Sequence, residues 1–159
     1  MKRCVIAVVI LSLIISVTGC NRDKYINQTK ASHDQATEIL RCLDEDDTEG
    51  LKSMFCEEVA SSHDLDEEIA EAMEFYKGKS VLFSSISLGG GDSMEDGELT
   101  DSHIGYSIRG VETDEDATYK IVTHSYLVYK ENPDFIGITY ITIIDKETDA
   151  RVELGEYVK

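Results

Sequence analysis

Leu43-Asp44-Glu45-Asp46-Asp47-Thr48-Glu49-Gly50-Leu51-Lys52-Ser53-Met54-Phe55 is the stretch on which the fold turns. Its run of carboxylates opposes the dipole at a helix C-terminus and suits the N-terminus of the next helix. One helix therefore ends near Leu43 and another begins behind the acids, with Asp46 and Glu49 spaced as a capping box. Upstream, Ala36, Ile39, Leu40 and Leu43 fall at i, i+3, i+4 and i+7, which makes one apolar stripe on a helix over residues 31–43. Downstream, Leu51, Met54, Phe55 and Val59 form the face of a second, short helix. A third begins at about Asp64, with Asp64 and Glu67 as its cap and Ile69, Ala72, Met73 and Tyr76 as its face, and stops at Gly78.

From Ser80 onward the period of the apolar residues changes from 3.6 to 2. Residues 81–88 predict a first strand, followed by a turn region from Gly89-Gly90-Gly91 to Gly97 that holds Asp92, Glu95 and Asp96. Ile104, Tyr106 and Ile108 share one face of a second strand, bounded by Gly110 and an acidic turn at Asp114-Glu115-Asp116. Residues 117–130 and 135–146 are long β-rich runs joined across Glu131-Asn132-Pro133-Asp134, where the chain's single proline belongs. Residues 151–159 add a short edge.

Three amphipathic helices followed by four to five antiparallel strands make an α+β fold. Each layer has one apolar face and can hide it only against the other, so the helices are expected on one face of a curved sheet. The helix end, acidic turn and Leu-x-x-x-Phe helix of residues 43–55, with strand hairpins behind them, resemble the first helical hairpin of cystatin-like, nuclear-transport-factor-2-like domains. The resemblance covers residues 29–158, and within that fold the chain is most similar to an uncharacterised family of small bacterial lipoproteins. It implies a fold and no particular activity.

The N-terminus reads as an address. Met1-Lys2-Arg3 is a positive n-region, and residues 4–17 are apolar but for Ser12 and Ser16. Fourteen residues are short of the roughly 18 to 20 that cross a bilayer as a helix, so a processed signal fits better than a permanent anchor. Val17-Thr18-Gly19-Cys20 resembles the lipobox of bacterial lipoprotein signals, an aliphatic residue and two small ones before a cysteine. That resemblance implies a signal peptide at 1–19 and a diacylglycerol thioether on Cys20. It further implies a lipidated tether at 20–29, a single α+β domain at 30–159, and a place on the outer face of the bacterial cytoplasmic membrane.

Charge narrows the partners. The chain of 159 residues has 32 Asp and Glu against 15 Lys and Arg, and loss of residues 1–19 takes Lys2 and Arg3 away, leaving −19 on 140 residues. Such a surface repels phosphate backbones, so nucleic acid is not an expected partner. A small ligand or a basic protein is. With 42% hydrophobic residues, eight Tyr and four Phe, the composition suits a folded core and not a disordered acidic tail.

Enzymes of the wider superfamily place an Asp, His or Tyr in the cone between helices and sheet, and the residues here that resemblance points to as ligand-binding candidates are Tyr106, His124, Tyr126 and Tyr140. His124 and Tyr126 are two apart on one strand and so share a face. β-propensity alone also supplies aromatics to strands. The acids cluster in turns and at helix ends, which leaves only His124 as a strand-borne base. Asp92-Ser93-Met94-Glu95-Asp96-Gly97 lacks the alternating ligand spacing of a calcium loop. His33, His63, His103 and His124 are too scattered for a zinc motif, and neither a phosphate loop nor a nucleophile elbow occurs, so neither metal nor cofactor is expected. Two readings remain: a non-catalytic ligand-binding or protein-interaction module, such as an immunity or envelope-stress partner, and a small isomerase- or dehydratase-like enzyme. A missing buried carboxylate favours the first.

Overall fold

The computed structural model describes residues 26–157, so the predicted signal peptide and Cys20 lie outside the described residues. Among the described residues there are four α-helices, α1 (Gln28–Glu45), α2 (Thr48–Ser53), α3 (Glu57–Ser62) and α4 (Leu65–Phe75). Six strands follow: β1 (Ser80–Leu82), β2 (Ser85–Glu95), β3 (Glu98–Thr113), β4 (Thr118–Tyr129), β5 (Gly137–Asp145) and β6 (Arg151–Gly155). They form one open antiparallel sheet in the order β1-β3-β4-β5-β6, with β2 beside β1 on the same flank of β3. The class is α+β, with one helix and at least one strand more than the pattern predicts.

Both differences have a local cause. The expected second helix divides because Met54 and Cys56 leave it to pair with the start of β5: Cys56 N donates to Ile138 O at 2.9 Å, and Ile138 N to Met54 O at 2.9 Å. Gly137 permits that approach, since a β-carbon there would stand 2.8 Å from Cys56 N. The first strand divides at Ser84, whose N and Oγ both donate to Arg109 O beside Gly110, a left-handed residue at φ +60°. β2 also runs straight through the triple glycine, and the turn to β3 shrinks to Asp96 and Gly97, at φ 49° and 78°. Two positive φ values in succession are what a two-residue hairpin loop requires.

The apolar stripes meet in one core. Ala36, Ile39, Leu40 and Leu43 of α1 are all buried, as are Leu51, Val59, Leu65 and Ile69 from the other helices. Opposite them stand Ile104, Ile108, Ile121, Ile141, Ile143 and Leu154 of the sheet. A side chain of this size gains about 1.5–3 kcal/mol on full burial, so this layer contact dominates stability.

The acids of residues 44–47 are structural parts. Asp44 ties the end of α1 to the first strand by accepting from Ser80 N at 2.7 Å and from Ser80 Oγ. Asp46 takes a left-handed φ of 54°, and the cap of α2 passes to Asp47, whose Oδ1 accepts from Gly50 N at 2.9 Å. Arg41 binds Asp47, Glu45 and Glu38 together, and its guanidinium holds the Asp47 carboxyl below the usual range. Cys42 and Cys56 are both buried and unbridged, and burial pushes the Cys42 thiol up to about 11.

Candidate functional site

Strand register separates the predicted site residues. Tyr106 pairs with Thr123, Gly105 with His124, His103 with Tyr126, and His124 with Tyr140. Ile104, Tyr106 and Ile108 therefore point toward the helices with Ile121, Thr123 and Ser125, the last accepting from Gln35 Nε2 of α1 at 3.0 Å. His124, Tyr126 and Tyr140 point the other way. The expected cone site is thus corrected: only Tyr106 faces the space between helices and sheet, and that space is filled by the core. The Tyr106 phenol is 2% exposed, has no hydrogen bond of good geometry, and is pushed far up by burial, with Thr123 opposing.

The outward face carries its own aromatic cluster. His124 is 5% exposed although no helix covers it, because rings enclose it: Tyr140 in parallel at 6.2 Å, Tyr157 at 4.9 Å, Tyr126 at 5.2 Å and His103 at 5.8 Å. The β4–β5 register shifts beside it and brings in Thr139, whose Oγ1 donates to His124 O at 3.4 Å and lies 3.0 Å from Nδ1. A hydroxyl has one proton: given to the carbonyl, it lets Oγ1 accept from Nδ1–H and leaves Nε2 unprotonated, whereas given to Nδ1 it selects the other tautomer. Burial, then His103, holds the pKa of His124 below its ordinary value, with Asp101 opposing.

Next to this cluster a cleft of about 550 Å³ opens between the tip of the β2–β3 hairpin and the end of β4. Its walls are Asp101, His103, Tyr126, Tyr129, Glu95 and Glu131, and its volume lies in the range of small-molecule sites. Asp101 Oδ1 accepts from His103 Nδ1 at 2.9 Å, on one face of β3. Tyr126 and Tyr129 stack at 4.9 Å, backed by Phe135 at 5.9 Å from Tyr129. Lys130, at the rim, is held by Glu98 at 2.7 Å.

Asp101 and His103 are the residues that sequence pattern missed. The chain from Asp92 to Asp101 reads as an acidic turn, yet both ends of it are strand, and Asp101 is half-buried. The usable signal was the spacing Asp-x-His, which on a strand puts both side chains on one face. The expectation that the acids lie in turns and at helix ends, with His124 the one strand-borne base, is accordingly overturned for Asp101 and His103, both within β3. His124 and Tyr140 do not line this cleft; they support it from the side.

A second depression, of about 510 Å³, lies between α1 and the sheet edge, among Leu40, Val81, Leu82 and Phe83. It is mainly apolar, and its polar residues Arg41 and Asp44 are already engaged. It offers contact area without chemistry.

A family model described as a domain of unknown function (DUF5104) matches residues 38–146, from the middle of α1 to just past β5. Every wall residue of the cleft falls within that span. No curated protein matches the chain in sequence.

Proposed function

We propose, for a chain that belongs to the family described as a domain of unknown function (DUF5104), that it is an exported, lipid-anchored binding module that takes its ligand or partner at the outward cleft of the sheet. The observation that carries the reading is the cleft itself: aromatic rings and carboxylates gathered on the face that the helices leave open. The lipobox residues Val17-Thr18-Gly19-Cys20 support anchoring through Cys20 on the outer face of a bacterial cytoplasmic membrane. A nuclear-transport-factor-2-like assignment of the fold is supported by helices first in the chain and a meander of long hairpins after them.

Two experiments test this. In the host, labelled fatty acid should enter the wild type and not Cys20→Ala; equal labelling would end the lipoprotein reading. A small-molecule screen followed by nuclear magnetic resonance should map ligands to Tyr126, Tyr129 and His103. Ligands that map only elsewhere would remove the cleft from the proposal.

A second reading, a small enzyme, draws on the Asp101–His103 hydrogen bond, since a carboxylate that orients an imidazole is a recurrent general-base arrangement. Turnover of a small substrate that vanishes in His103→Ala while the fold survives would promote it.

A further inference from the structure

The chemistry of the cleft selects one kind of occupant, and the inference rests on the binding reading above. We propose that the cleft binds an organic cation, an alkylammonium or guanidinium group, carried either by a free small amine or by a Lys or Arg side chain of a partner.

Three carboxylates reach the cleft from separate places, Glu95 near the end of β2, Asp101 on β3 and Glu131 just after β4. Among the described residues neither Glu95 nor Glu131 is in an ion pair, and the one rim lysine is held by Glu98. Asp101 also accepts a hydrogen bond from His103 Nδ1 at 2.9 Å, which fixes where its carboxylate points. An anionic ligand is therefore repelled, and the chain's net charge of −17 adds to that field. A neutral apolar ligand would touch the rings but strip water from carboxylates that it cannot pair.

Inorganic cations fit less well. They need oxygens converging on a point, and among the described residues no three His, Cys, Asp or Glu side chains are grouped closely enough to hold one. Dispersed acids beside aromatic rings suit a large cation of low charge density, which the negative ring faces attract. Tyr126 and Tyr129 supply those rings, with Phe135 packed behind them. Burial, then Asp101, keeps the Tyr126 phenol above its ordinary pKa and so uncharged.

The test is calorimetry on the purified protein with choline, with its neutral isostere 3,3-dimethyl-1-butanol, with n-butylguanidinium and with acetate, each site mapped by Tyr126 and Tyr129 ring signals. Choline or butylguanidinium should bind at least about tenfold more tightly than the isostere, and more weakly as salt rises. Glu95→Gln with Glu131→Gln, both exposed positions, should lower cation affinity several-fold without disturbing the fold, and Tyr129→Leu by about tenfold. N-acetyl-lysine methylamide binding more tightly than choline and butylguanidinium identifies a protein-borne cation; the reverse identifies a small molecule. Isostere or acetate bound in the cleft as tightly as choline would overturn the cation while leaving a binding cleft. No probe of any charge mapping there would count against the cleft as well.

Discussion

The imidazole of His103 lies over Gly91 of the neighbouring strand: a β-carbon on Gly91 would stand 3.2 Å from its Cε1 and 3.4 Å from its Nε2. The three consecutive glycines differ because successive residues of a strand face opposite ways. A β-carbon on Gly90 would come within 2.4 Å of His103 O and 3.0 Å of Gln28 Oε1, whereas one on Gly89 would meet nothing nearer than 3.9 Å. Gly89→Ala should accordingly be neutral or slightly stabilising, and Gly90→Ala should cost about 1–3 kcal/mol. Gly91→Ala should change stability little but shift the ring resonances of His103. Thermal unfolding and imidazole chemical shifts decide it; a Gly90→Ala protein as stable as Gly89→Ala would contradict the register.

His124 should make stability depend on pH in one direction. Its folded pKa lies below the unfolded value of about 6.5, so the unfolded chain takes up the proton first as pH falls. The stabilisation from keeping it neutral is complete above about pH 6.5 and is lost through the window beneath, down to the folded value. Melting curves from pH 8 to 5 should show a steeper decline for wild type than for His124→Asn, although the variant starts lower. Parallel declines would mean that another group sets the slope.

Asp44 and Asp46 should respond in opposite ways. Asp44→Ala strands Ser80 N without its acceptor and removes the partner of Tyr76 Oη at 3.4 Å, which should cost about 1–3 kcal/mol. Asp46 holds a left-handed φ of 54°, so Asp46→Gly should be tolerated or stabilising by a few tenths of a kcal/mol. Denaturant titration of the two variants is the measurement.

Two buried tyrosines make a further pair. The Tyr119 hydroxyl accepts from Lys77 N at 2.9 Å and donates to Phe75 O at 3.3 Å, while that of Tyr106 lacks a well-formed bond. Tyr119→Phe should lose about 1–3 kcal/mol, and Tyr106→Phe should be neutral or gain. A Tyr106→Phe loss matching that of Tyr119→Phe would show that the Tyr106 hydroxyl has a partner after all.

Helix and strand identity were legible because each rests on a period within a few residues: the stripe Ala36, Ile39, Leu40, Leu43 is buried as spaced, and Asp64 accepts from Glu67 N as its cap position implies. So was the alternation that put His124 and Tyr126 on one face. Which face that is was not legible, because it depends on pairing with β3, where Gly105 opposes His124 and Tyr106 opposes Thr123. The break after Ser53 was equally hidden, since Met54 and Cys56 leave the helix only to bond Ile138, more than eighty residues away. The cleft is of the same kind: Glu95, Asp101, Tyr129 and Glu131 come from two hairpins, and no local pattern records their meeting. Sequence determined the helical and extended character of the segments outside 54–56 and 89–95, and the sign of the charge around them. Tertiary pairing alone decided which side of the sheet received the helices and which was left open, because that choice rests on cross-strand register between residues far apart in the chain.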